Sequence, residues 1–242
     1  MAQDALTSFA NDELPAEAKP PWPYSQLVGE LLWFATVLRI DIAFSVNILA
    51  RYLQKPTNTH WQAALRILRY LSRTKELGIV YRRDDQTKIT AFSDSDWAGD
   101  ATDRKSVSGY ILMYGGGPIA WKSRKQSVVA KSTAEAEYIS VSGCAQEAIW
   151  FRHILEELGM GLGSQPLDIH VDNQAAILMT KNPVYLSKTK HIDIPAHHIR
   201  DEVAKGRIRL IHINGNQNPA DILTKPLGAL PHENCISLLG ME

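Results

Sequence analysis

Four carboxylates in this sequence stand where a regular element begins or ends: Asp94, Glu137, Asp172 and Asp221. Carboxylates gathered in one place repel and raise one another's pKa, and a divalent cation relieves the repulsion. Hard oxygen ligands with little His or Cys favour Mg2+ or Mn2+ over zinc. Two such ions about 4 Å apart form a phosphodiester-cleaving arrangement, one activating water and the other stabilising the leaving oxygen. Each carboxylate also has an ordinary explanation, so the elements that would position them decide the matter.

Asp94 lies in Ile-Thr-Ala-Phe-Ser-Asp-Ser-Asp-Trp-Ala-Gly-Asp, residues 89–100. Alternation puts Ile89, Ala91 and Ser93 on one side of a strand and Thr90, Phe92 and Asp94 on the other. Asp96 shares the face of Asp94 but lies further from the rigid strand. Read alone, Asp94, Asp96 and Asp100 describe a solvated acidic loop better than a site. The longest helical pattern runs from Ser132 or Thr133 to about Leu158. Its positions 137, 141, 144, 148, 151, 155 and 158 form one stripe headed by Glu137 and otherwise apolar. Glu135 falls about 200° away, with Ser142 and Gln146 on the wet side. The ordinary role for Glu137 is to complement the helix dipole in the first turn. Asp172 ends the apolar strand Leu167–Val171 and could instead cap the helix that follows. Asp221 follows Asn-Pro-Ala in the first turn of a last short helix, where it too could serve the dipole.

The rest of the chain supplies a frame. Of its 242 residues, 45% are hydrophobic and 21% charged, and the formal net charge is zero. These are the proportions of a soluble globular protein. Zero net charge means that any nucleic-acid surface must come from local clustering. Cys144 and Cys235 offer neither a disulfide framework nor a zinc spacing. The stretch 1–23, rich in proline, reads as a disordered leader without the apolar core of a secretion signal. Leu27 to Leu38 is too short to span a bilayer. A protein inside the cell, cytoplasmic or nuclear and not secreted, is the expectation.

Helical periodicity occupies 24–76, with stripes at Val28, Leu31, Leu32 and Ala35, then from Ile42 to Leu53 behind Asp41 as a cap, then from Thr59 to Leu71. Strands follow at Gly78–Arg82, Ile89–Ser93, Ser108–Tyr114 and Ile119–Ser123, with a turn at Asp84–Gln86. After the long helix come strand 167–171, helix 173–180, helix 193–205, strand 207–213 and the short helix at Pro219. This order suggests an α/β protein with a mixed sheet flanked by helices.

Seven stretches carry a resemblance. They are Ser-Asp-Ser-Asp-Trp-Ala-Gly-Asp (93–100), Lys-Ser-Val-Ser-Gly-Tyr (105–110), Ile-Ala-Trp-Lys-Ser-Arg-Lys-Gln (119–126), Ser-Thr-Ala-Glu-Ala-Glu-Tyr (132–138), Val-Asp-Asn-Gln-Ala-Ala (171–176), Lys-Thr-Lys-His-Ile-Asp-Ile (188–194) and Ala-Asp-Ile-Leu-Thr-Lys-Pro-Leu (220–227). In this order they closely resemble the ribonuclease H region of Ty1/copia-type LTR-retrotransposon polyproteins. Residues 24–74 resemble the thumb and connection that precede it. The resemblance implies an RNase H-like mixed five-stranded sheet flanked by helices, with an N-terminal helical appendage. Its divisions would be a leader at 1–23, a thumb-like segment at 24–76, the nuclease at 77–227 and a tail at 228–242.

It also implies that Asp94, Glu137, Asp172 and Asp221 hold two Mg2+ or Mn2+ ions and cut the RNA strand of RNA–DNA hybrids. Asp96, Lys125, Lys131, Asn173 and Gln174 are candidates for holding substrate, with Lys122 and Arg124 beside them. The backbone of Ser95–Gly99 and Gln174 are candidates for the 2′-hydroxyl. A reverse transcriptase polymerase domain is a further expected partner, and a membrane is not. The polymerase signature Tyr-x-Asp-Asp is absent: Tyr81-Arg82-Arg83-Asp84-Asp85 has one residue too many, so no DNA synthesis is expected. Leu38-Arg39-Ile40-Asp41 replaces Arg-Pro-Asp, and Pro195-Ala196-His197-His198 departs from the family's Tyr-His-Phe. The loop 214–218 lacks the histidine of cellular relatives. The competing expectation is a catalytically silent remnant that binds nucleic acid or protein. A phosphatase built on Asp94-Ser95-Asp96 is a third, weakened by Ala98 where a hydroxyl residue belongs.

Overall fold

The computed structural model describes residues 23–82, 88–99, 103–160, 165–181 and 193–242. The leader up to residue 22, the turn at Asp84–Gln86, Asp100 and residues 188–192 of the sixth motif lie outside the described residues. Contacts divide the chain into two compact units, one running through Gly78 and including Glu242, the other from Ile79 to Met241.

The first unit is helical: α1 (Tyr24–Val37), a 3-10 turn at Ile40–Ile42, α2 (Ala43–Ala50) and α3 (Asn58–Arg73). Val28, Leu31, Val46, Leu49, Trp61 and Leu65 are buried along their inward stripes. Asp41 does not cap α2. It is buried in the 3-10 turn, where Arg39 pairs with both of its oxygens and the Tyr70 hydroxyl donates to Oδ2 at 2.6 Å. α2 also stops at Ala50, which leaves Leu53 exposed outside it.

The second unit is built on one five-stranded sheet. Its strands are β1 (Thr90–Asp96), β2 (Val107–Tyr114), β3 (Gly117–Lys125), β4 (Leu167–Val171) and β5 (Ile208–His212), in the spatial order β3-β2-β1-β4-β5. β1, β2 and β3 form an antiparallel meander, whereas β4 pairs parallel to β1 and β5 parallel to β4. The parallel pairs need crossovers. α4 (Thr133–Glu157) lies on the route from β3 to β4, and α5 (Gln174–Lys181) and α6 (Asp193–Ala204) lie between β4 and β5. A last helix, α7 (Ala229–Leu238), follows a 3-10 turn at Pro219–Leu223. This is the RNase H-like α/β architecture, a mixed five-stranded sheet flanked by helices. Gly115 and Gly116 both take positive φ in the β2–β3 turn, which a side chain would oppose. The strand expected at Gly78–Arg82 reduces to one bridge, Ile79 to Met241, and a bond from the Arg82 N–H to the Gly115 carbonyl.

The core lies between the sheet and α4. Ala91, Leu112, Ile169 and Val171 meet Val141, Cys144 and Ala148 there, all fully or almost fully buried. α4 is buried on more than its sheet face, because α5 and α6 also pack against it. Ser142 is therefore buried rather than wet, while Gln146 remains exposed. Among the described residues, no helix is long and apolar enough to cross a membrane.

Candidate active site

In the parallel ladder Ser93 stands opposite Val171, so the residues that follow, Asp94 and Asp172, lie side by side at the carboxyl end of β1 and β4. α4 brings the third carboxylate to the same place. Ser140, three residues after Glu137, accepts from the Ser93 hydroxyl at 3.0 Å and donates to the Asp94 carbonyl at 2.8 Å. These bonds fix the first turns of α4 against the end of β1. One carboxylate oxygen from each of Asp94, Glu137 and Asp172 lies within 4.8 Å of the other two.

Glu135 goes elsewhere. It is buried rather than on the wet side, and its carboxylate accepts from the Lys131 N–H at 2.9 Å while Ser132 Oγ accepts from the Glu135 N–H at 3.2 Å. The two bonds tie Glu135 to the backbone at the start of α4, where Ser132 is the cap. Glu135 is thus engaged there, and Glu137 is left for the cluster. In the same way Asn173, not Asp172, caps α5: its Oδ1 accepts from the Ala176 N–H at 3.1 Å.

Asp221 arrives on the 3-10 turn Pro219–Leu223. Asn218 caps that turn through the Ala220 N–H and donates to the Ser93 carbonyl at 3.0 Å, which ties the turn to β1. Gly109 permits the approach, since a Cβ there would stand 2.7 Å from Thr224 Cγ2 and 2.8 Å from Leu223 Cβ. The Thr224 hydroxyl donates to Asp94 Oδ2. The Lys225 ammonium reaches Asp94 Oδ1 at 3.1 Å and Asp221 Oδ1 at 2.8 Å.

Electrostatics follow from this crowding. Burial, then Asp94 and Asp172, push the Glu137 carboxyl up to about 9. Burial and Asp94 raise Asp172 as well. Burial and Asp94 push Asp221 up to about 6 against the pull of Lys225. Burial works to lower Lys225, but Asp94 and Asp221 outweigh it and hold the ammonium well above the usual lysine value. Glu137 is 5% exposed. Its Oε1 accepts from the Ser95 N–H at 3.2 Å, while Oε2 is buried with no hydrogen bond. An all-oxygen donor set with one unsatisfied buried oxygen fits a hard divalent cation such as Mg2+ or Mn2+.

The remaining expected residues are more dispersed. The Asp96 carboxylate accepts from the Val107 N–H, and a Cβ at Gly99 would collide with it. Lys125 pairs with Asp103 at 2.9 Å on the edge strand β3, where Lys122 and Arg124 are exposed. Lys131 and Gln174 are exposed just before α4 and in the first turn of α5. The Ser95 N–H is directed at Glu137, so it is not free for a 2′-hydroxyl. Sequence reasoning missed Ser140, Asn218, Thr224, Lys225 and His212, whose Nε2 is 3.1 Å from the Asp172 carbonyl. Only Lys225 left a trace, the Asp-to-Lys spacing of four residues from Asp221.

No protein-family profile matches the chain. Among relatives, the retrovirus-related Pol polyprotein from transposon RE2 of Arabidopsis thaliana is 39% identical over 236 residues, 98% of this chain and 16% of its own. The chain belongs to the copia-type retrotransposon Pol polyprotein family. It spans about one sixth of the length of that relative (16%). A second similar protein of this copia-type Pol segment is secreted RxLR effector protein 161 of Plasmopara viticola, 42% identical over 128 residues, 53% of this chain and 90% of its own. Among solved structures, LC11-RNase H1, isolated from compost by a metagenomic approach, covers 57% of the copia-type chain and 94% of its own, at 15% identity and a TM-score of 0.43.

Proposed function

We propose that the chain is the ribonuclease H segment of a copia-type polyprotein and hydrolyses the RNA strand of RNA–DNA hybrids internally. The observation that carries this reading is the meeting of Asp94, Glu137 and Asp172 within 4.8 Å, with Glu137 Oε2 buried and unsatisfied. Buried polar atoms normally find a partner, so an unsatisfied carboxylate oxygen inside a cluster of three acids calls for a cation. Asp94, Glu137 and Asp172 would hold Mg2+ or Mn2+, with Asp221 beside them. A divalent ion there supplies the charge that activates water and stabilises the leaving oxygen.

The chain's own groups set that chemistry up. Thr224 and Lys225 engage both oxygens of Asp94, so its orientation is fixed before substrate arrives. The Ser95 N–H holds one oxygen of Glu137 and leaves the other for the cluster. Water attacks the phosphorus, the P–O3′ bond breaks, and a proton reaches O3′. The products are a 3′-hydroxyl and a 5′-phosphate. Lys131 and Gln174 are exposed where α4 and α5 begin, the elements that carry Glu137 and follow Asp172, and are proposed to hold the hybrid. Lys125 and Asp96, each already engaged, would act through their neighbours. Asn173 would act by capping α5. A polymerase domain of the same polyprotein is the proposed partner. Work inside the cell accords with the free, buried Cys144 and Cys235.

The test is cleavage of an end-labelled RNA–DNA hybrid with Mg2+ or Mn2+ by the wild type, Asp172→Asn and Glu137→Gln. Metal-dependent cleavage by the wild type alone is expected. Equal cleavage by all three removes the assigned site. Salt-sensitive hybrid binding with no cleavage by any of them would favour the silent remnant.

A further inference from the structure

The four acids are not equally in need of a cation. Lys225 already lies between two of them, 3.1 Å from Asp94 Oδ1 and 2.8 Å from Asp221 Oδ1. The Asp94 side chain is 1% exposed and that of Lys225 36%. The second Asp94 oxygen accepts from Thr224. The Asp94–Asp221 pair thus already has one cation supplied from within the chain. Glu137 Oε2, in the same cluster, is buried with no hydrogen bond. We propose that Lys225 is the resident cation of the Asp94–Asp221 pair and limits the nucleic-acid-free protein to one divalent ion, held by Asp94, Glu137 and Asp172. This inference rests on the reading of the cluster as a metal-dependent nuclease centre.

The physical argument is one of occupancy. A hard divalent ion bonds carboxylate oxygens at about 2.0–2.2 Å, closer than the ammonium does. An ion between Asp94 and Asp221 would therefore have to displace the Lys225 head, because two cations cannot share that space without strong repulsion. Lys225 is tethered four residues from Asp221, so its effective concentration at the pair is high and a free ion must compete against it. At Glu137, Lys225 acts only through its charge and makes no hydrogen bond, and there the ion meets an unsatisfied oxygen. A second ion would then enter only when a phosphate brings further negative charge.

Counting bound Mn2+ by loss of its free-ion paramagnetic resonance signal tests this without nucleic acid. The wild type and the charge-retaining Lys225→Arg should each bind one ion. Lys225→Met should bind two, or bind the second at least tenfold more tightly than the wild type does. Its metal-free melting temperature should fall, and Mn2+ should raise that temperature more than it does for the wild type. Lys225→Gln, which keeps a donor, is measured alongside in case methionine at this polar position prevents folding. Two ions of similar affinity in the wild type, or one count shared by all the Lys225 variants, would overturn the inference. Glu137→Gln separates the two levels. If it loses the ion while the Lys225 variants match the wild type, Lys225 alone was misread. If it binds as the wild type does, or nothing binds Mn2+, the nuclease centre falls as well.

Discussion

The Ser95 backbone N–H donates to Glu137 Oε1 at 3.2 Å, while Oε2 of the same carboxylate is buried without a hydrogen bond. Half of this side chain is held and half is left over. Replacing it by the neutral isostere separates function from folding. Glu137→Gln should lower Mn2+ affinity by more than about 100-fold, beyond the upper end of what losing a supporting hydrogen bond costs a metal site. The same variant should melt at or above the wild-type temperature in EDTA above about pH 5, since it no longer has to take up a proton to be buried. Calorimetric titration and thermal melts check both halves.

The titration of the cluster sets the pH dependence of the metal-free protein. Glu137 rises from an ordinary 4.5 to about 9, so the folded chain keeps a proton that the unfolded chain has released. Asp172 and Asp221 shift in the same direction. A proton is therefore taken up on folding between about pH 4.5 and 9, and stability falls as pH rises through that window. In EDTA the melting temperature should decline from about pH 5 to about pH 9, less steeply in Glu137→Gln. Mg2+ should stabilise more at the alkaline end. A flat profile identical in both proteins would remove this account.

The Thr224 hydroxyl holds Asp94 Oδ2. Thr224→Val keeps the shape and deletes the hydroxyl. Metal affinity should drop by about 10–100-fold, the range for partners that orient a ligand. Helical content by circular dichroism should not change. Unaltered Mn2+ affinity would show that Asp94 needs no such support.

Gly109 is where the last segment touches the sheet. In Gly109→Ala the new methyl would stand 2.7 Å from Thr224 Cγ2 and 2.8 Å from Leu223 Cβ. Overpacking of this kind costs about 1–3 kcal/mol. Because the displaced segment carries Asp221, Thr224 and Lys225, the variant should lose cleavage together with stability. Denaturant melts and hybrid cleavage on the same preparation give the comparison.

In the helical unit, Arg39 and Asp41 form a buried pair, 6% and 5% exposed. Asp41→Asn leaves the guanidinium buried without its counter-charge, a loss of about 3–5 kcal/mol for pairs of this kind. Hydrogen exchange of the α1 and α3 amides should speed up accordingly. Unchanged protection there would mean that the pair is dispensable.

The strands and the long helix were legible because their periods, two and 3.6, are written locally in the chain. The choice of Glu137 over Glu135 was legible for the same reason, since a helical stripe needs only its own residues. What Glu135 does was not legible. Its carboxylate bonds the Lys131 N–H, and the burial of Ser142 depends on the packing of α5 and α6 over α4. Asp41 looked like a cap because acids commonly are. Its ties to Arg39 and Tyr70 include one that spans 29 positions, beyond what a local pattern carries. Lys225 stood in a quoted motif, yet half of its meaning, the contact with Asp94, lies outside that motif.

The separation between Asp94 and its partners has a consequence in time. Thr224 and Lys225 lie 130 and 131 positions further along the chain. At about 5–20 residues per second, Asp94 leaves the ribosome on the order of ten seconds before Lys225 does. Through that interval the nascent chain carries β1 and its acid but lacks the segment that clamps it. Closing this loop is among the longest-range steps the second unit must complete. The centre is therefore assembled late in synthesis, and a chain cut short just before Thr224 would hold all five strands and no finished centre.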